Sequence, residues 1–330
     1  MTDNRSSSLH SSKRVLALCG GVGGAKLAQG LNELITTPDS LTIVVNTGDD
    51  FEHLGLNICP DLDSVVYALA NKNDTTRGWG RADETWHCLE ALKELGAQSW
   101  FALGDRDLAM HLERSHRLRS GQTLSEVTAL ISKQLGIRAH VVPMSDNPVR
   151  TVLHTDEGEL AFQDYFVRKA GKPKVESIAY TGADTATPQA DLMARLTDPD
   201  LDAIIICPSN PQLSIEPILA LNGVREALRR ASAPVVAVSP LIGGKAVKGP
   251  AAKIMQELEI PVDSTGIAQV YLDFIKGLVI DRVDELDAAY VSVPTVVTQT
   301  LMKSPEDALN LAQATLEFAG QLRLEATQTK

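Results

Sequence analysis

Short apolar runs alternate with longer stretches of helical period along most of the chain. The runs Val15–Cys19, Leu41–Asn46, Trp100–Leu103, Ala139–Val142, Ala203–Cys207, Val235–Ser239 and Leu278–Asp281 predict strands. Apolar positions at helical spacing predict helices over Lys26–Ile35, Leu62–Ala70, Asp83–Leu95, Asp107–Leu118, Leu124–Leu135, Gly223–Ala231, Ala251–Leu258 and Pro305–Arg323. Several strands, such as AIIIC and PVVAVS, are apolar on both faces, as a parallel sheet covered by helices requires. Strand followed by helix, repeated, predicts an α/β fold: a doubly wound, mostly parallel, Rossmann-like sheet. From Gly78 to about Leu135 the pattern is mainly helical and breaks the alternation, which predicts an inserted helical subdomain at about residues 78–137. Thr151–Lys169 alternates with period two around an Asp-Glu-Gly turn and predicts a β-hairpin appended to the sheet.

Composition narrows this picture. With 330 residues, 44% of them hydrophobic, the chain can bury a large core, as a single domain over residues 14–330 carrying the insertion. Residues 1–13 are polar and Ser-rich without an apolar stretch, so they predict a disordered tail and no secretory signal. No run approaches the ~20 apolar residues of a membrane span. Cys19, Cys59, Cys88 and Cys207 lie far apart and form no CxxC pair, as expected of reduced thiols in a cytoplasmic protein. A formal charge of −11 argues against a nucleic-acid backbone as partner, whereas a small anion held by local amides is compatible with it.

The chemistry gathers at strand ends. The first strand runs into GGVGGAKL (Gly20–Leu27), a glycine turn that feeds a helix, where free amides and the helix dipole favour an anion. A dinucleotide fingerprint would need glycine where Lys26 stands, and a phosphate-binding Walker loop would need Gly-Lys-Ser/Thr where the chain has Ala25-Lys26-Leu27. A tight βα turn without ligand is the plain alternative. After the second strand come Asn46, Asp49 and Asp50, then Asp61 and Asp63 at a helix start, acids that suit Mg²⁺ bound together with phosphates, or an attacking hydroxyl. For Asp61 or Asp63 the plain alternative is a helix cap. GWGRADETW (Gly78–Trp86) offers Trp79 and Trp86 to cover a flat ring, and LGDRDLAMH (Leu103–His111) offers Asp105, Arg106 and Asp107, with an ion-pair cap as the alternative. Ser209, Asn210 and Ser214 follow a buried strand and offer donors to a second phosphate; Lys245 and Lys248 follow another glycine turn. There is no nucleophile elbow, and the histidines lack metal-ligand spacing. Phosphate grips and acids without a covalent nucleophile fit transfer at phosphorus by positioning and charge neutralisation.

The segments GGVGGAKL, NTGDD, ICPDLDSVVYALA, LGDRDLA, VVPMSDNPVRT, FQDYFV, CPSNPQLSIEPIL and SPLIGGKAVKGPAAKIM, in that order, resemble the 2-phospho-L-lactate transferase family of coenzyme F-420 biosynthesis. The resemblance runs from about Arg14 to the last helix. It implies an enzyme that joins a guanosine diphosphate-linked phospho-acid to the deazaflavin Fo, the ribitol hydroxyl attacking the phosphorus nearer the acid and GMP leaving. The acid differs among relatives: phospholactyl, phosphoenolpyruvyl or phosphoglyceryl. The resemblance also implies Mg²⁺, a homodimer, and a set of roles. Gly20, Gly21, Gly23, Gly24 and Lys26 would lie along the diphosphate, with Ser209, Asn210 and Ser214 on the guanylate side and Leu241, Gly243 and Lys245 near the base. Asp49, Asp50 and Asp61 would serve the metal, Asp50, Asp61 and Asp63 the chemistry, and Asn46, Asp61, Trp79 and Arg106 the deazaflavin. The gluconeogenesis-factor family, regulatory proteins that bind nucleotide sugars, shares the glycine turn and the acid pair. It carries a Gly-Pro-Gly-Ser loop where this chain has PSNPQLSIEP, and it lacks GWGRADET and LGDRD.

Overall fold

A computed structural model describes residues 12–328, so the predicted tail lies, apart from Ser12 and Lys13, outside the described residues. Seven strands form the central sheet: β1 (Val15–Cys19), β2 (Leu41–Val45), β3 (His140–Pro143), β4 (Ala203–Ile206), β5 (Val235–Val238), β6 (Gly277–Asp281) and β7 (Thr295–Thr298). Their order is β3-β2-β1-β4-β5-β6-β7, and every neighbouring pair is parallel. The order reverses at β1, which pairs Val15 with Leu41 on one side and with Ala203 on the other. In an open parallel sheet the crevice beyond the carboxyl ends of the two strands at such a reversal is where ligands bind.

Alternate residues of β1 enter two cores. Val15, Ala17 and Cys19 pack with Leu27, Leu31, Leu62, Leu311 and Leu316, from the helices α1 (Gly21–Leu34) and α2 (Pro60–Leu69) and the C-terminal helix. Leu16 and Leu18 pack on the opposite face with Leu192, Val224, Ile267 and Tyr271. Every residue of β1, β2, β4, β5 and β6 is buried, which is why these strands read as unbroken apolar runs. Among the described residues no helix is long and apolar enough to cross a membrane.

Four expectations are corrected. Trp100–Leu103 is not a strand; its rings pack with Phe51 and His53, the Phe51–Phe101 centroids lying 4.9 Å apart, so the run is apolar because of an aromatic cluster. The first helix starts at Gly21, five residues before Lys26, so most of the glycine turn is helix. The helix predicted from Asp83 starts at His87. The hairpin of Arg150–Thr155 and Gly158–Ala161 belongs to a separate three-stranded antiparallel sheet with Val175–Thr181, not to the central one.

The helical insertion consists of α3 (His87–Glu94), α4 (Asp105–Arg119) and α5 (Leu124–Gln134). Its attachment to α2 combines an apolar cluster, Val66 with Val127 and Ile131, and a buried ion pair. Arg114, 3% exposed, donates Nη1 to Asp63 Oδ2 at 3.1 Å and makes a second bond through Nη2 to Oδ1. Leaving one member of a buried pair alone costs about 3–5 kcal/mol. Arg114→Met is therefore expected to lower unfolding free energy by about that amount in urea titrations, and Arg114→Met with Asp63→Leu to recover part of it. Equal stability of Arg114→Met and wild type would show that the pair does not hold the insertion.

Candidate active site

The carboxyl ends of β1, β2 and β4 meet around one carboxylate. Asp61, in the first turn of α2, accepts the Gly21 N–H at Oδ1 (2.7 Å) and the Asn46 Nδ2 at Oδ2 (2.9 Å). The same Asn46 amide reaches Asp49 Oδ1 at 3.1 Å and the Leu213 carbonyl at 3.3 Å. Asn46 Oδ1 accepts from Gly48 N at 2.8 Å, and the residue is fully buried. Asn46 is thus an organiser behind the site. It does not line the cavity.

The glycines are explained by close approach. A Cβ on Gly20 would lie 2.4 Å from Asp61 Oδ2, one on Gly23 2.5 Å from the Pro208 carbonyl oxygen, and one on Gly24 2.4 Å from Ser209 Oγ. Gly21 has φ +65°, a conformation that glycine adopts without penalty. Ser209 Oγ accepts from Gly20 N at 3.1 Å and donates to Gly20 O at 2.8 Å, strapping the β4 loop to the β1 loop. Asn210 Oδ1 accepts from Gln212 N and Leu213 N, and the Ser214 hydroxyl bonds to Asp61.

A cavity of about 790 Å³ opens over this junction. Gly20, Gly21, Gly23, Lys26, Ser209, Asn210 and Ser214 line it, together with Asp49, Asp61 and Asp63. Trp79, Trp100, Phe101, Phe162 and Phe166 line it as well. Lys26 donates Nζ to the Met302 carbonyl at 2.7 Å; burial, and then the charge of Lys248, hold its ammonium below the usual value. Trp79 is half-exposed at the rim, with the Arg77 guanidinium 5.1 Å from its ring centre.

Other expected residues lie elsewhere. Gly24 sits behind the wall, against Ser209 and Cys19. Leu241 is buried in the core, Gly243 donates its N–H to the Asp284 carboxylate, and Lys245 is exposed; Ile242, Val247 and Lys248 line the cavity in their place. The two-residue strands Leu241–Ile242 and Lys245–Ala246 form a tight hairpin that turns the glycines away. Arg106 points outward, 3.9 Å from Asp83, while its backbone N–H and that of Asp107 are capped by Glu84. Asp105 caps α3 through His87 N and Cys88 N. Asp50 faces a neighbouring cavity, its Oδ1 buried without a partner among the described residues.

Asp63 borders the cavity but is committed to Arg114, inside a buried network that the sequence did not announce. His111 Nδ1 lies 3.3 Å from Arg114 Nη1, His111 Nε2 lies 3.4 Å from Asp107 Oδ1, and Tyr67 donates its hydroxyl to Asp107 Oδ1 at 2.6 Å. The only linear signal was the spacing of Asp107 and His111, one helical turn apart on α4. Phe162 and Phe166, stacked at 5.5 Å, come from the hairpin region; their segment FQDYFV carried the family resemblance but no sign of a place in the site.

The acids differ electrostatically. Burial pushes the Asp61 carboxyl up to about 6, although Asn46, Gly21 and Ser214 pull the other way. Burial, then the charges of Asp61 and Asp50, raise Asp49 well above the usual carboxylate range. Burial raises Asp50 to about 7. No group of three or more His, Cys, Asp or Glu side chains that could hold a metal occurs among the described residues. Mg²⁺, however, is commonly held by one or two carboxylates together with substrate phosphates and water. Asp49 and Asp61, joined by one amide and disfavoured as a pair of anions, fit that mode; Asp63 does not, because Arg114 occupies it.

Comparison with known proteins places the chain in a family. The family model described as 2-phospho-L-lactate transferase CofD matches residues 15–310. A phosphoenolpyruvate transferase of Kitasatospora aureofaciens is 40% identical over 319 residues, covering 94% of this chain and 99% of its own. A 2-phospho-L-lactate transferase of Methanosarcina mazei is 39% identical over 306 residues, covering 92% and 99%. A crystal structure of a upf0052 family member from Bacillus halodurans superposes with a TM-score of 0.62 at 18% identity, covering 92% of this chain and 99% of that one, and shares the fold. With a family model spanning almost all of its sheet and relatives matched nearly end to end, the chain belongs to the 2-phospho-L-lactate transferase CofD family.

Proposed function

We propose that the protein transfers a phospho-acid from its guanosine diphosphate-linked donor to the ribitol hydroxyl of the deazaflavin Fo, releasing GMP, in coenzyme F-420 biosynthesis. The observation that carries this reading is one cavity lined by glycine-turn residues, acids and aromatic rings together, in a chain whose named relatives are transferases of this kind. Those names divide between phospholactate and phosphoenolpyruvate, and phosphoglycerate is a third donor compatible with the same site. A nucleotide-sugar-binding regulator would use the same glycine turn, but the relatives argue against it.

Each residue's part follows from its position. The first four N–H groups of a helix lack intrahelical partners. In α1 those of Gly20 and Gly21 are taken by Ser209 and Asp61. Val22 and Gly23 follow on the cavity wall, where their N–H groups and the helix dipole suit the donor diphosphate, with Lys26 in the next turn. Asp49 and Asp61 would hold Mg²⁺, which when bound neutralises phosphate charge. Asp61, beside the glycine turn on the cavity wall, is the acid placed to take the proton of the attacking hydroxyl as the new P–O bond forms and the bond to GMP breaks. The aromatic rings of the cavity wall, Trp79 among them, would stack the deazaflavin. A homodimer accords with Val283, Leu286 and Tyr290, exposed by 70%, 84% and 79% on one short segment, and four free cysteines accord with the cytoplasm.

Excess EDTA is expected to abolish turnover and added Mg²⁺ to restore it. Asp61→Asn is expected to lower kcat by about a hundredfold or more, and to remove the rise in melting temperature that Mg²⁺ with GDP gives the wild type. Full turnover in EDTA, or an Asp61→Asn variant of normal rate, would contradict the assignment. Lys26→Ala is expected to weaken GDP by about ten- to hundredfold, the loss of one charge-assisted contact, and to leave Fo binding unchanged in calorimetry. Equal GDP affinity in both proteins would leave the phosphate to the backbone amides alone.

A further inference from the structure

A second cavity of about 460 Å³ adjoins the first, and Asp49, Trp100, Phe162 and Gln163 border both. Its wall is formed by the Gly48–Leu54 segment, the start of the hairpin strand at Arg150, and Asp164 with Arg168. Arg168 is already engaged, 3.1 Å from Asp164 and 4.4 Å over the Trp100 ring. Arg150 is different. It is half-buried, its Nη1 donates to the Val149 carbonyl at 2.8 Å, and among the described residues no carboxylate lies within ion-pair distance of it. Beside it Thr151 is 2% exposed, and its Oγ1 has no hydrogen-bond partner among the described residues. The threonine is fixed in place: its N–H donates to Gly48 O at 2.6 Å, and a Cβ on Gly48 would lie 2.7 Å from its Oγ1. A buried hydroxyl left without a partner is disfavoured, and a half-buried guanidinium whose charge reaches Asp49 and Asp50 but which has no direct ion pair keeps its bidentate face open to an anion.

We propose that this second cavity receives the acid half of the donor, with Arg150 and the Thr151 hydroxyl binding its carboxylate. The inference rests on the transferase reading above. If the phosphorus under attack sits beside Asp49 and Asp61, the acid esterified to it lies only a few bonds away, and the second cavity opens beside that same Asp49. The carboxylate of a phospho-acid stays ionised at neutral pH and matches a guanidinium in both charge and shape. None of the acids on this wall forms a direct ion pair with the arginine: Asp164 has Arg168, Asp49 accepts from Asn46, and Glu52 is exposed, while the Arg150 charge acts on Asp49 and Asp50 only from a distance. A site that reads the carboxylate would accept lactyl, enolpyruvyl or glyceryl groups that fit the space and reject an acid whose carboxylate has been neutralised.

The test uses the full-length enzyme, Fo, and whichever of the three guanylated phospho-acids the wild type turns over fastest, together with the carboxamide analogue of that donor. Arg150→Met is expected to raise donor KM by about ten- to hundredfold, to leave GDP and Fo affinities at wild-type values, and to abolish the preference for acid over carboxamide. Thr151→Val, which conserves shape, should give a smaller loss of the same kind, and it decides the matter if Arg150→Met does not fold. Wild-type preference for the acid in either folded variant overturns the subsite and leaves the transferase reading standing. A wild type that turns over none of the three donors overturns both.

Discussion

Two carboxylates of like charge, Asp49 and Asp61, are buried within reach of a single amide, and the arrangement of the strand ends depends on meeting that condition. Burial and mutual repulsion disfavour their ionised forms. The protein answers with donors from three directions: Asn46 from β2, Gly21 from the start of α1 and Ser214 from the β4 loop. For so many backbones to converge, side chains must be absent at the junction. That requirement puts glycine at position 20, where a Cβ would touch Asp61 and Ser214 together. The glycine turn is therefore a matter of packing first. Its capacity for phosphate is what remains after the packing is satisfied.

This ordering explains how far the sequence could be read. The central strands were legible because burial on both faces leaves only apolar residues, and the doubly wound order follows from strand alternating with helix. β7 was not, since all four of its residues are only partly buried and its composition is that of an ordinary half-exposed segment. Trp100–Leu103 failed for the opposite reason: aromatic clustering made an irregular segment look like a strand. At the site, sequence proximity grouped residues that the helix separates. Asp61 and Asp63 stand two positions apart on α2, which turns them about 200° from one another. One faces the glycine turn, and the other faces α4 and Arg114. Ser209 was legible as a polar residue at a strand end, yet both of its hydrogen bonds go to Gly20.

The insertion closes one side of the cavity through charge as well as through apolar packing. Asp63, Arg114, His111, Asp107 and Tyr67 form a chain of contacts from α2 to α4 and back to α2, nearly all of it buried. A network of this kind is costly to break at any one member, because each partner left behind is a buried charge or hydroxyl. It holds the wall rigid beside the acids without using either of the carboxylates that face the glycine turn. The division of labour between Asp61 and Asp63 thus separates structural electrostatics from the electrostatics left open to a ligand.

The same separation runs through the hydrogen-bond donors of the glycine turn. Four N–H groups at the start of a helix need partners from outside it. At α1 the protein supplies two, Ser209 Oγ for Gly20 and Asp61 for Gly21, and both bonds also tie neighbouring loops together. The next two residues, Val22 and Gly23, stand on the cavity wall. Gly23 has no room for a side chain against Pro208, so nothing of its own can cover that approach. The fold thereby completes its own loops with half of the helix terminus and leaves the other half to an anion. A helix end so divided favours a ligand that brings negative charge to one place, as the diphosphate of the proposed donor would and a neutral ribitol would not.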